Sequence, residues 1–132
     1  LAAFLPETYV PDLDVRLYLY HRLTAIRDDD ALHEFGRELR DRFGEPPKEV
    51  KNLLFAVRVK RLARAAGIEA IVSDGGALLL RRFSGWHFDK EQLAEVTGPG
   101  VRVALNQVRL DYVKLGRRWR KVLEEVLTIV AG

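Results

Sequence analysis

The sequence predicts an α+β fold: three helices, then a small β-sheet with one short helix, then a closing C-terminal helix. Three observations predict it. Apolar side chains recur at helical spacing from about residue 13 to 67. From residue 68 the period changes to short apolar runs separated by Gly-containing turns. Helical spacing returns from about residue 117.

Residues 1–12 read as an extended lead, with Pro6 and Pro11. A first helix is expected from about Asp14 to Arg27, capped by Asp12 or Asp14. Its stripe is Leu13 or Val15, Leu19, Leu23 and Ile26, widened by Tyr18 and Tyr20. Asp28-Asp29-Asp30 breaks it and caps a second helix, about 31–43, with Leu32, Phe35, Leu39 and Phe43 on one side. Gly44 stops that helix, and Pro46-Pro47 restarts the chain as a third, about 47–66. The third helix has two apolar stripes. Val50, Leu53, Leu54 and Val57 form one; Phe55, Val59, Leu62 and Ala66 form the other. A helix of that kind is expected to be covered on both sides. "EAIVS", "ALLLRRF" and "VRVAL" read as strands, the first two joined by the hairpin signal Asp74-Gly75-Gly76. The short helix is expected between the second and third strands. Asp89 is its N-cap, Gln92 completes a capping box, and Phe88 against Leu93 is a staple. The last helix, about 117–130, aligns Trp119, Val122, Leu123, Val126 and Val130.

At 132 residues the chain suits a single domain, with a helical part at about 13–67 and a sheet-containing part at about 68–132. No apolar run approaches the ~20 residues that span a bilayer. Pro6, Glu7 and Asp12 interrupt any signal-peptide core. Cysteine is absent, which removes disulfides, thiolate nucleophiles and cysteine metal sites and fits a cytoplasmic protein. Methionine is absent too, and the chain opens with Leu1, so a piece of a longer protein is expected. The net charge of +3 hides an asymmetry: residues 1–44 hold six basic and nine acidic side chains, residues 45–132 sixteen and ten. Two faces for different partners, or two solvated surfaces, both fit.

Catalytic patterns are missing. No Walker-type G-x-x-x-x-G-K-[ST] loop occurs, and no G-x-G-x-x-G follows a strand. His21, His33 and His87 lack metal-ligand spacing. Ser73 and Ser84 lack a nucleophile-elbow pattern. No enzymatic activity, metal or cofactor is expected of these residues.

Two charged groupings remain. On the second helix Glu34, Glu38 and Asp41 fall within about 60° of one another, opposite the apolar stripe and bordered by Arg37 and Arg42. They are either a solvated row with Glu38–Arg42 and Glu34–Arg37 pairs or a docking surface for a basic partner. On either reading the core does not need them. The second grouping is "KLGRRWRK": Lys114, Arg117, Arg118, Arg120 and Lys121 around Trp119. Such a segment either grips phosphate and stacks a base or is a solvated helix start with Trp119 in the core.

"LPETYVPD", "RLYLYHRL", "ELRDRFGEPP" and "ARAAGI" follow one another between residues 5 and 68. Together they resemble the C-terminal domain of the bacterial transcription-repair coupling factor, the Mfd family. Its pattern runs [IL]-P-x-x-Y-[IV]-P-D, R-L-x-x-Y-x-R-[IL], E-L-x-D-R-F-G-x-x-P, then a helix ending in L/A-G-I. Beyond residue 68 the match is one of general pattern.

The resemblance implies a large ATP-driven DNA translocase as parent. That parent displaces stalled RNA polymerase, binds DNA and recruits nucleotide excision repair. Its C-terminal domain is implied to be a non-catalytic, autoinhibitory clamp. The clamp docks on the UvrB-like N-terminal module of the same protein and masks the surface that binds UvrA. The acidic pair of the family's third block faces arginines of that module, and its matching positions are Glu38 and Asp41. Glu34 joins them by geometry alone. The competing reading is a nucleic-acid-binding module working through the basic C-terminal half.

Overall fold

The computed structural model describes residues 2–132. Helices α1 (Leu13–Thr24), α2 (Asp29–Phe43) and α3 (Lys48–Ala65) come first. Strands β1 (Ile68–Asp74), β2 (Ala77–Arg82), β3 (Val101–Val103) and β4 (Gln107–Asp111) follow. The four-residue α4 (Tyr112–Leu115), a 3₁₀ turn (Gly116–Arg118) and α5 (Trp119–Ala131) end the chain. This is an α+β fold. It divides into two compact units, Leu1–Arg61 and Leu62–Gly132.

The first unit is organised by the lead that precedes α1. Leu5, Tyr9 and Val10 are buried with Leu19, Leu23, Phe35, Leu39 and Val50 in one apolar cluster. The lead is not extended throughout as expected: it turns over residues 7–10, where the Tyr9 and Val10 amides donate to the Pro6 carbonyl at 3.0 and 2.9 Å, and its remaining polar groups need outside partners. The amide of Phe4 donates to the Glu49 carbonyl at 3.2 Å, and the amide of Leu5 donates to the Tyr20 hydroxyl at 2.7 Å. The Arg16 guanidinium donates to the carbonyls of Val10 and Pro11, at 2.7 and 3.0 Å. Buried Asn52 donates to the Ala2 carbonyl at 2.9 Å. Tyr9 makes the most demanding contact. Its hydroxyl lies within 3.1 Å of the Leu39 carbonyl and 2.7 Å of the Gly44 carbonyl, and its ring tilts against Phe43 at 5.6 Å. The Gly44 carbonyl lies just past the end of α2, where no helical amide is left to reach it. Burial raises the Tyr9 phenol above its ordinary pKa.

Local chemistry sets the helix ends much as the sequence suggests. Asp12 accepts from the Val15 amide at 3.1 Å and Asp28 from the Ala31 amide at 2.8 Å. Gly44 closes α2 at φ +90°, where a side chain would be strained. Asp29, the second residue of the acidic triplet, pairs with Arg58 at 2.9 Å and with Arg61, so it ties the start of α2 to α3. Two apolar residues of the expected α1 stripe face outward instead: Leu13 and Tyr18 are exposed, as is Leu17. The helix also ends at Thr24, because Ala25 is already its C-cap.

Strands β1 and β2 form a hairpin whose two-residue loop, Gly75-Gly76, has positive φ at both positions, as a type I′ turn requires. All pairings are antiparallel, in the order β1-β2-β4-β3. On β3 and β4, Val101, Val103, Val108 and Leu110 are buried, and the alternating positions Arg102, Gln107, Arg109 and Asp111 point to the other face. Leu123, Val126 and Leu127 of α5 are buried as well.

Two expectations for this unit are corrected. "VRVAL" is not one strand. It stops at Val103 and turns through Leu105-Asn106 into the unforeseen β4. That loop has no glycine, and its exposed Leu105 prolonged the apparent apolar run. The short helix expected after Asp89 is instead a series of turns. Asp89 does cap it, accepting from Glu91 and Gln92 amides at 2.9 and 3.4 Å. Gln92, however, donates to the Ile129 carbonyl at 2.9 Å rather than closing a capping box. Gly98-Pro99-Gly100 cuts the segment before helical hydrogen bonds repay nucleation. The short helix of the fold is α4, after the sheet.

On α3, Val50, Leu62 and Ala66 just beyond its end are buried, and Leu53, Leu54, Phe55, Val57 and Val59 are partly buried. Both stripes are therefore removed from solvent to some degree. Leu62→Ala should cost ~2–5 kcal/mol in chemical denaturation, as a core truncation. Tyr9→Phe keeps the ring and takes the hydroxyl proton from the Gly44 carbonyl, its nearer partner at 2.7 Å, so it should cost ~1–3 kcal/mol; a loss below a few tenths would show that water replaces the hydroxyl freely.

Candidate functional site

Helix α2 positions the acidic row. Leu32, Phe35 and Leu39 bury one face, which turns Glu34, Glu38 and Asp41 outward on the other. The three acids then differ in their surroundings. Glu34 accepts from Arg37 at 2.9 Å, with both side chains well exposed. Glu38 is only part-exposed and is held from two sides. Arg22 of α1 donates to its Oε2 at 2.5 Å and Arg42 at 3.4 Å. Asp41 is exposed and has no hydrogen bond or ion pair among the described residues.

The two intrahelical pairs read from the sequence are present. Arg22 was missed, because it stands sixteen positions from Glu38 and reaches it only when α1 packs on α2. Arg22 is itself confined, with its guanidinium 5.2 Å from the Phe35 ring centre and 5.8 Å from that of Tyr18. The hydrogen bond from Arg22 holds the Glu38 carboxyl below the usual glutamate range, assisted by Arg42 and opposed by partial burial. The same bond raises Arg22 above its ordinary value. Glu38 is thus more than a solvated charge: it bridges two helices, and the fold uses it to a degree that helical geometry alone did not suggest. Its Oε1 accepts no hydrogen bond from a described residue. The row therefore offers a fixed, oriented carboxylate at Glu38 beside an unengaged one at Asp41.

The basic segment spans three successive helical turns. Lys114 lies on α4, Arg117 and Arg118 on the exposed 3₁₀ turn, and Arg120 and Lys121 on the first turn of α5. Trp119 is partly buried, with Tyr112 in a T-shaped contact at 5.3 Å and the Arg120 guanidinium over its ring at 5.4 Å. Its surface is engaged by neighbours rather than offered to a base. Ser73 meets the Tyr112 hydroxyl at 3.0 Å, and Ser84, His21, His33 and His87 are exposed. Among the described residues no group of three or more His, Cys, Asp or Glu side chains is placed to hold a metal. No helix among them is long and apolar enough to cross a membrane.

The protein-family model described as the TRCF domain matches residues 1–93, well over half of the chain. The chain belongs to the TRCF domain family. The match contains both the lead with Tyr9 and the whole of α2 with its acidic row. Among similar proteins, the transcription-repair-coupling factor of Bacillus subtilis is 33% identical over 139 residues, covering 100% of this chain and 12% of that protein. Its counterpart in Rickettsia bellii is 36% identical over 81 residues, covering 61% of this chain and 7% of that protein. The chain thus spans about a tenth of the length of these relatives. The crystal structure of the C-terminal domain of a transcription-repair coupling factor superposes with a TM-score of 0.80 at 21% identity. The superposition covers 98% of this chain and 89% of that one, and supports the same fold. A TRCF domain in this family is tied by name to transcription-coupled DNA repair.

The depressed carboxyl of Glu38 gives a pH prediction. A group whose folded pKa is lowered adds stability above its unfolded pKa, ~4.3 for Glu, and loses it as pH falls through the folded value. The pair is part-exposed, so its worth is at most ~1 kcal/mol. Glu38→Gln should melt below the parent chain at pH 7 in low salt. The gap should narrow as the pH is lowered from 5 to 3 and as salt is added. A gap independent of pH would assign the loss to packing rather than charge.

Proposed function

We propose that this TRCF domain is a non-catalytic regulatory clamp of a longer, cytoplasmic, ATP-driven DNA translocase that displaces stalled RNA polymerase. In this reading α2 docks through Glu38 and Asp41, with Glu34 at the margin, on arginines of a UvrB-like module of the same protein. Docking covers the surface that recruits the repair protein UvrA. The observation that carries the reading is Asp41: a charged, exposed carboxylate without a partner among the described residues, in line with a Glu38 whose orientation two arginines fix. A row used only for solvation does not need one member held in place and the next left open. Family membership and the small share of the relatives' length that the chain spans support a role inside a larger protein. No phosphate-cradling loop is present, so nucleotide chemistry is assigned to the rest of the parent.

Arginine pairs at a partly desolvated interface lose ~2–5 kcal/mol when one partner is removed. Each 1.4 kcal/mol shifts a closed-to-open ratio about tenfold. Asp41→Arg is the clean test, because Asp41 holds nothing else. The 132-residue chain carrying it should melt as the parent chain does. The full-length protein carrying it should bind UvrA at least about tenfold more tightly in the absence of RNA polymerase. Unchanged UvrA binding with a correctly folded variant would remove the docking role from Asp41. Glu38→Arg is a harsher change, since it places a third cation beside Arg22 and Arg42, and it should lower the melting temperature of the chain itself.

A further inference from the structure

A groove of about 620 Å³ opens in the second unit, lined by the Gly98–Arg102 segment, the outer face of β4 and Lys114. Its charge is unusual for a sheet surface. Arg102 on β3 and Arg109 on β4 are directly paired across the ladder, so their side chains leave the same face. Flanking bonds from Ala104 to Gln107 and from Asp111 to Gly100 make theirs a hydrogen-bonded pair, with α-carbons about 5.5 Å apart. Like charges directly opposite one another destabilise a sheet. Lys114 of α4 adds a third cation to the same groove.

The one carboxylate in the lining, Asp111, is held below the usual aspartate range by the backbone amides it accepts from and then by the charges of Lys114 and Arg109. It caps α4, accepting from the amides of Val113 and Lys114 at 2.9 and 3.0 Å. Arg102, Arg109 and Lys114 have no side-chain hydrogen bond or ion pair among the described residues. The walls are built close to the backbone. Gly100 has φ +94°, and a Cβ there would strike the Leu115 side chain at 2.8 Å, so this position is held to glycine and α4 is kept tight against it. Three cations on a concave polar wall face a single carboxylate, Asp111, whose charge acts on Arg109 and Lys114, so the groove keeps a positive excess. Two guanidinium groups side by side match the paired oxygens of a tetrahedral oxyanion, and lysine adds a point charge.

We infer that this groove is a binding site for a phosphate group, with Arg102 and Arg109 as the fork and Lys114 as the third contact. A free phosphate and the phosphodiester of a single-stranded nucleic acid share this chemistry. The site differs from the basic segment read in the sequence, sharing only Lys114 with it. It lies in the second unit and the acidic row in the first, so neither result bears on the other.

The test is a titration of the ¹⁵N-labelled 132-residue chain with inorganic pyrophosphate and, separately, with a ten-nucleotide oligothymidylate. Shifts should concentrate at Arg102, Arg109 and Lys114. Pyrophosphate alone would identify a small phosphate ligand. A tighter response to the oligonucleotide would identify the backbone, with a slope of log affinity against log salt near −2 for three contacts, falling by ~0.7 in Arg102→Gln. Arg102→Glu supplies the control for folding. It replaces a repulsive cross-strand pair by an attractive one, so its melting temperature should hold or rise while binding falls at least about tenfold, the ~1.4 kcal/mol of one lost charged contact. Three results would overturn the inference: no binding to either ligand, shifts centred on Arg117, Arg118 and Lys121, or a poly-glutamate peptide binding the groove as tightly as either phosphate ligand.

Discussion

The first unit depends on one buried hydroxyl. The lead satisfies only part of its own backbone, through the turn on the Pro6 carbonyl, and the end of α2 leaves carbonyls without helical donors. Tyr20, Arg16 and Asn52 serve the lead's backbone, and Tyr9 anchors the lead to that end, with its ring in the core and its hydroxyl proton on the carbonyls at the end of α2. Once it is seated, Leu5 and Val10 are carried into the apolar cluster, and Gly44 is fixed as the place where α2 stops. Two sequence blocks that look separate, the Y-V-P-D of the lead and the R-F-G at the end of α2, are thus the two halves of one contact. Phe43 completes it from the side.

The same packing explains why the acidic row is not uniform. With α2 held at its end by Tyr9 and at its start by Asp29 against Arg58 and Arg61, its outward face has a fixed orientation in the unit. Arg22, lying between the Phe35 and Tyr18 rings, then meets Glu38 and no other acid of the row. A surface helix would ordinarily present three interchangeable charges. Here one is paired within its own helix, one is clamped between helices, and Asp41 has no partner among the described residues. Such a graded arrangement suits a contact that must be specific yet reversible, because only part of the charge is left to a partner.

The second unit treats charge differently. Its sheet keeps Arg102 and Arg109 side by side on β3 and β4, where the ladder would be steadier with one of them reversed or removed. Residues that break a local rule without a compensating contact in their own fold are where function is to be sought. Asp111, whose Oδ1 caps α4, offsets Arg109 only in part and leaves an excess of positive charge on this face.

The sequence by itself determined the α+β class, the three helices with the capping aspartates of the first two, the Gly75-Gly76 hairpin and the outward placement of Glu34, Glu38 and Asp41. Each of these follows from local chemistry: periodicity, a capping carboxylate, or a backbone angle only glycine accepts. Tertiary structure alone decided what spans distance in the chain. It paired Arg22 with Glu38 and brought Tyr9 to the end of α2. It placed Trp119 in contact with Tyr112 and Arg120. It also made β4 a strand and set Arg109 beside Arg102, which a glycine-free hairpin loop had concealed. Cross-strand register and interhelix contacts carry no short-range signature, because the partners meet only after the apolar faces have chosen how to pack.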